Sequence, residues 1–203
     1  MDFKLDAYPV DDYTSGVQSR DKIKILICYA FKVVGIPISK DTVLSVFYDN
    51  GLVNYFEIAQ ALFELQRAGS IREVTVNGKT LLELTDKGLI IAEDAQNTLS
   101  SYMRNRAAQT ALKTIMYERR LRQNDVQITQ LENDKYAVDI TMYKTDPGVG
   151  LAPSEDDVLL KLTFYASDIM QANRLRDTFY NNPNKLYENI VDALTGDYKF
   201  VDD

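Results

Sequence analysis

Between residues 36 and 88 the hydrophobic period of the chain changes from helical to alternating and back again, and few folds accept both changes in so short a span. Ser39 is placed to cap a short helix whose inward positions are Leu44, Phe47 and Tyr48, and Asn50-Gly51 stops it. Asn54 caps a second helix with Ile58, Leu62 and Leu65 on its core face, and Gly69 ends it. Glu57, three residues after Asn54, has the spacing of a capping box. Ile71, Val74 and Val76 then run into Asn77-Gly78, the strongest short-range hairpin signal, and Leu82 and Leu84 return. Thr85 opens another helix, and Ile36-Pro37-Ile38 suits a short edge strand beside the hairpin. Two short helices, a hairpin and a helix, in that order, spell a winged helix-turn-helix.

Around this block the organisation reads as α+β, an N-terminal winged helix-turn-helix followed by a helix–βββ–αα unit with a small antiparallel sheet. Residues 1–17 form a polar arm with four aspartates (Asp2, Asp6, Asp11, Asp12), residues 18–100 the winged-helix domain, and residues 101–203 the second unit. The first helix begins at Ser19 and ends at Gly35. It is apolar nearly all round, through Ile23, Ile25, Leu26, Ile27 and Phe31, so it should be covered on both sides, by the C-terminal part or by a second subunit. A long helix over residues 101–122 carries Ala108, Leu112, Ile115 and Met116 on one side. Strands follow at 126–131, 136–143 and 158–165, then helices at 167–181 and 183–194.

Composition removes several function classes. There is no histidine, which excludes Ser-His and Cys-His catalysis and most transition-metal sites, so no enzyme, metal or cofactor is expected. Cys28, the single cysteine, lies within an apolar run and reads as a small core residue. No apolar run approaches the roughly 20 residues of a membrane span, and the N-terminus lacks a signal-peptide pattern, so cytoplasmic residence without membrane association is expected. Net charge is −7, with residues 1–100 carrying −4 and residues 101–203 carrying −3. Binding to nucleic acid through overall charge is therefore disfavoured, and only a local basic patch would serve.

Several short signals also resemble a known family. Asn54-Tyr55-Phe56 opens the third helix, Gln60, Leu62 and Leu65 lie within it before Gly69, Leu84-Thr85 and Gly88 follow the hairpin, and NKLYENIVDAL lies near the C-terminus. In these features the chain resembles the bacterial winged-helix family catalogued as domain of unknown function 4364. The resemblance spans nearly the whole chain and implies a winged helix with a regulatory role. It implies no activity and supplies no catalytic residues.

Candidate binding residues come from two places. On the third helix, the outward positions are Asn54, Glu57, Ala61, Glu64, Gln60 and Arg67. Asn54 and Gln60 suit adenine, while Glu57 and Glu64 would face a polyanion. Lys40 and Arg67, with Arg72 and Lys79 on the hairpin, give four phosphate contacts per chain. Salt-sensitive DNA binding takes about 6 to 10, so one copy falls short and a homodimer, with about eight, is borderline. The second place is the 101–122 helix, where Arg106, Lys113 and Arg120 recur every seven residues and form a basic stripe. It reads either as a solvated face beside acidic neighbours or as a docking stripe. Asp146-Pro147-Gly148-Val149-Gly150 lacks the third glycine and the helix of a phosphate loop, and Glu155-Asp156-Asp157 reads as a solvated strand entrance. The leading expectation is a homodimeric transcriptional regulator that binds double-stranded DNA, dimerised through the first helix or the 101–122 helix. A winged helix docking on a protein partner stands beside it, and so does a ligand sensor using the second unit.

Overall fold

The computed structural model describes residues 19–196; the expected arm over 1–17 and the residues after 196 lie outside the described residues. Helices and two small antiparallel sheets make the class α+β. The elements in chain order are α1 (Arg20–Val34), α2 (Lys40–Leu44), α3 (Tyr55–Arg67), β1 (Ile71–Val76), β2 (Lys79–Leu84), α4 (Asp86–Ala95), α5 (Ser101–Gln123), β3 (Asn124–Gln130), β4 (Tyr136–Tyr143), β5 (Val158–Ala166), α6 (Ile169–Asn181) and α7 (Pro183–Thr195). Two compact units divide at Ile115 and Met116, inside α5.

In the first unit α1 is the centre. Ile23, Leu26, Ile27, Cys28, Ala30 and Phe31 are all buried, and α3, α4 and β2 pack against it. Much of the expected cover is therefore supplied by α3, α4 and β2 of the same unit, and Ile25, Tyr29 and Val33 remain partly exposed. Gly35, at φ 69°, ends the helix in the left-handed region and returns its N–H to the carbonyl of Phe31.

Ser39 caps α2 by accepting the Thr42 N–H at 2.9 Å. A π-helical turn, Ser45–Asp49, extends the helix and inserts extra backbone into the turn. Val43, Val46 and Phe47 are buried, but Tyr48 is turned to solvent, contrary to its expected inward place. A constant 100° per residue loses phase across a π turn, and Tyr48 sits just where that happens. Asn54 caps α3, its Oδ1 accepting the Glu57 N–H at 3.0 Å.

The hairpin closes at Asn77 (φ 50°) and Gly78 (φ 76°), with Val76 opposite Lys79. Two positive φ angles in a two-residue loop match the right-handed twist of the strands. Ile38 adds a one-residue third strand, exchanging backbone bonds of 2.9 and 2.7 Å with Leu82. At the far end, Thr85 Oγ1 donates to the Gly69 carbonyl at 2.8 Å and accepts the Gly88 N–H at 3.3 Å. That hydroxyl fastens the start of α4 to the end of α3. Lys87 Nζ adds a 2.7 Å bond to the Ala68 carbonyl.

Along α5 the buried residues are Ala107 and Ala111, with Met103 and Ile115 packed partly against the same core. The expected face of Ala108, Leu112, Ile115 and Met116 is rotated from this: Leu112 is 44% and Met116 56% exposed. Two alanines allow close approach of the helix backbone, and that packing outweighs the larger side chains on the neighbouring face.

The second unit is an antiparallel meander, β3-β4-β5, with a bulge between Met142 and Tyr143. β5 alternates strictly, Leu160, Leu162, Phe164 and Ala166 facing the core with Val138, Ile140 and Met142 of β4. α6, capped by Asp168, packs on the sheet through Ala172 and Phe179, and α7 packs on α6. Asp146 accepts both the Nε and Nη2 donors of Arg122 at 2.9 and 2.8 Å and the Gly148 N–H at 3.0 Å, anchoring the Asp146–Gly150 loop that lacks the marks of a phosphate cradle. No described helix is long and apolar enough to cross a membrane.

Candidate functional site

The core face of α3 fixes what its opposite face presents. Ile58, Ala61, Leu62 and Leu65 are buried, so at 100° per residue Phe56, Gln60, Phe63 and Arg67 form the row pointing directly away. Phe56 is 82% and Phe63 59% exposed. This corrects the expected outward set: Ala61 belongs to the core, and the two phenylalanines belong outside. The phase of the three core residues already placed positions 56 and 63 outward.

The polar members of the site are in different states. Asn54 is held at the N-terminus of α3 by its capping bond. Gln60 Nε2 donates to Glu64 Oε1 at 2.8 Å, and Lys24 Nζ of α1 lies 3.3 Å from the other carboxylate oxygen. The Gln60 amide and then Lys24 hold the Glu64 carboxyl below its ordinary value. One of the two acids that sequence set against a polyanion is thus partly offset within the protein, by a lysine that also lies 2.8 Å from Asp21. The other, Glu57, lines an open groove of about 450 Å³ with Arg20, Phe56, Gln60, Ala61 and Glu64.

Among the cations, Arg72 is engaged by Glu83 across the hairpin, at 2.9 and 2.8 Å. Lys40 at the first residue of α2, Arg67 at the last of α3 and Lys79 beside the hairpin turn are exposed, and among the described residues none enters an ion pair. Counted over the described part of the first unit, residues 19–115 hold twelve Lys and Arg against ten Asp and Glu, a net +2. The negative charge of the chain therefore resides in residues 1–18, at −3, and residues 116–203, at −6.

The basic stripe resolves into separate tasks. Arg106 Nη2 donates to the Asn50 carbonyl at 2.8 Å, and Arg120 Nη1 to the Asn181 carbonyl at 3.1 Å, at the end of α6. Lys113 is exposed. Beside α3, Tyr48 meets Tyr55 edge-on at 6.2 Å, and Tyr55 meets Phe56 at 5.8 Å, so a chain of three exposed rings leads into the α3 row.

With this geometry in view, the comparison with known families is specific. The pattern defining the family described as Domain of unknown function (DUF4364) matches residues 23–194. The chain belongs to the DUF4364 family. The match runs from within α1 to the last turn of α7, so both units of this DUF4364 chain, and every candidate residue above except Arg20, fall inside it. Comparisons with curated proteins and with solved structures give no match.

Proposed function

We propose that this DUF4364 chain is a winged-helix transcriptional regulator that binds double-stranded DNA as a homodimer. In this reading α3 enters the major groove, and the hairpin β1–β2, with Ile38 as its third strand, is the wing that follows the backbone. The observation that carries it is the uncovered row of α3, Phe56, Gln60, Phe63 and Arg67, taken with exposed cations at Lys40 on α2 and Lys79 on the hairpin. These lie on the part of the chain with excess positive charge. Three exposed cations per copy give about six phosphate contacts in a dimer, the low end of what salt-sensitive binding needs. For the dimer we assign α5, because Leu112 and Met116 are exposed one turn apart, whereas most apolar residues of α1 are buried in their own unit.

A second reading has its own observation. Exposed aromatic rings at Tyr48, Tyr55, Phe56 and Phe63, with Glu57 beside them, also suit a protein partner, since clustered apolar exposure marks interaction surfaces. Selection of bound fragments from genomic DNA at two salt concentrations separates the two. Enrichment at low salt that weakens at high salt supports the regulator. A lack of enrichment at low salt overturns it in favour of the protein partner.

A further inference from the structure

Resting on the reading of α3 as the major-groove helix, we infer that the DNA it recognises is A·T-rich, with thymine methyl groups bound by Phe56 and Phe63 and adenine read by Gln60. The argument starts from what the α3 row can do chemically. In the major groove only thymine offers an apolar group, its 5-methyl, and phenylalanine is a side chain suited to it. Phe56 and Phe63 leave their rings in water in the free protein, so contact with methyl groups removes that exposure.

Gln60 lies between them on the same face. One of its amide N–H groups is taken by Glu64, which Lys24 holds in turn. The carbonyl oxygen and the second N–H remain, and they form the acceptor–donor pair complementary to the N6 and N7 edge of adenine. The bond to Glu64 restrains the side chain before DNA arrives, so less rotamer freedom is lost on binding.

Guanine is poorly served by the same row. Its usual reader is arginine or lysine, and the row's one cation, Arg67, sits eleven residues beyond Phe56, at the C-terminal end of the helix, placed for a phosphate. Cytosine would call for a carboxylate, but Glu64 is paired and Glu57 lies on the flank of α3, about 90° round the helix from the row. From Phe56 to Phe63 the helix rises about 10 Å, or about three base-pair steps. The recognised element is therefore a short run of consecutive A·T pairs.

The test uses the full chain and three alternating duplexes of equal length and charge at one low salt concentration: poly(dA-dT), the same duplex with deoxyuridine for thymidine, and poly(dG-dC). Affinity should rank in that order, with removal of the two contacted thymine methyls costing about tenfold. Phe56→Ala and F63A, substitutions at exposed positions, should each reduce the difference between the thymine and uracil duplexes, and the double variant should bind the two equally. Gln60→Ala should erase the preference of the uracil duplex over poly(dG-dC). Equal binding of all three duplexes by the unaltered chain overturns the inference and leaves the regulator reading standing. Absence of binding to any duplex overturns both.

Discussion

The main-chain carbonyl of Ser70 occupies the space that a side chain at Gly88 would need. A β-carbon built there runs into that oxygen and into the Leu84 side chain, both well inside van der Waals contact. Ser70 is fixed by its own N–H to the Leu65 carbonyl at 2.9 Å and by accepting the Thr85 N–H at 3.1 Å. Backbone tied at both ends has little room to yield. Gly88→Ala is expected to lower the stability of the first unit by about 1–3 kcal/mol, the usual cost of overpacking, despite alanine's better helix propensity. Urea denaturation followed by circular dichroism reads this, and an unchanged midpoint would contradict the packing argument.

Cys28 offers a probe of the same unit. Its thiol is buried within α1, and that burial pushes it up to about 12 from an ordinary 9.0. The folded chain keeps the proton over a pH range in which the unfolded chain loses it. Stability from this source is complete below pH 9 and falls as pH rises toward 12, by about 1.4 kcal/mol per unit. At pH 8 a thiol reagent should label the folded protein negligibly and label one equivalent in guanidinium. Rapid labelling without denaturant would mean that α1 opens far more readily than its packing implies.

How much could be read from residue order depends on how local the cause is. Ser39, Asn54, Thr85 and Asn77-Gly78 act through hydrogen bonds or dihedral angles within a few residues, so the helix starts and the hairpin were legible. Tyr48 was placed on the wrong side because the π turn at Ser45–Asp49 shifts helical phase, and nothing in the residue types announces it. The face of α5 was misjudged because Ala107 and Ala111 win by being small, and side-chain size favours the wrong answer in a count of apolar residues. The pairing of Arg72 with Glu83 is a matter of hairpin register, visible only once the strands are aligned.

In the second unit, Arg122 and Asp146 form a two-pronged pair whose side chains are each at most a quarter exposed, with Arg119 3.7 Å from the same carboxylate. The Arg122 guanidinium, with help from the Gly148 N–H, holds the Asp146 carboxyl below its ordinary 3.8. A lowered folded value means the stabilisation is fully present above pH 3.8 and disappears as pH falls through the folded value. Arg122→Ala is expected to cost about 1.5–3 kcal/mol at pH 7, as for hydrogen bonds between charged groups. It should also flatten the fall in stability below pH 4 relative to the unaltered chain. Urea titrations at pH 7 and pH 3 measure both, and an equal loss at the two pH values would rule the ion pair out as the cause.

The cations proposed to contact DNA differ in availability, and that difference is measurable. Lys79 and Arg67 enter no ion pair among the described residues, whereas Arg72 is already bonded to Glu83. A dimer presents each residue twice, and each lost phosphate contact lowers the slope of log affinity against log salt by about 0.9. Lys79→Gln or Arg67→Gln should therefore reduce that slope by nearly 2, while leaving stability within about 0.5 kcal/mol, as is usual for exposed positions. Arg72→Gln should change the slope less, because its charge is shared with Glu83. Fluorescence anisotropy on an A·T-rich duplex from 50 to 200 mM salt provides the slopes. Should Arg72→Gln lower the slope as much as Lys79→Gln, the Glu83 pair does not survive DNA binding, and the wing contacts the backbone through both residues.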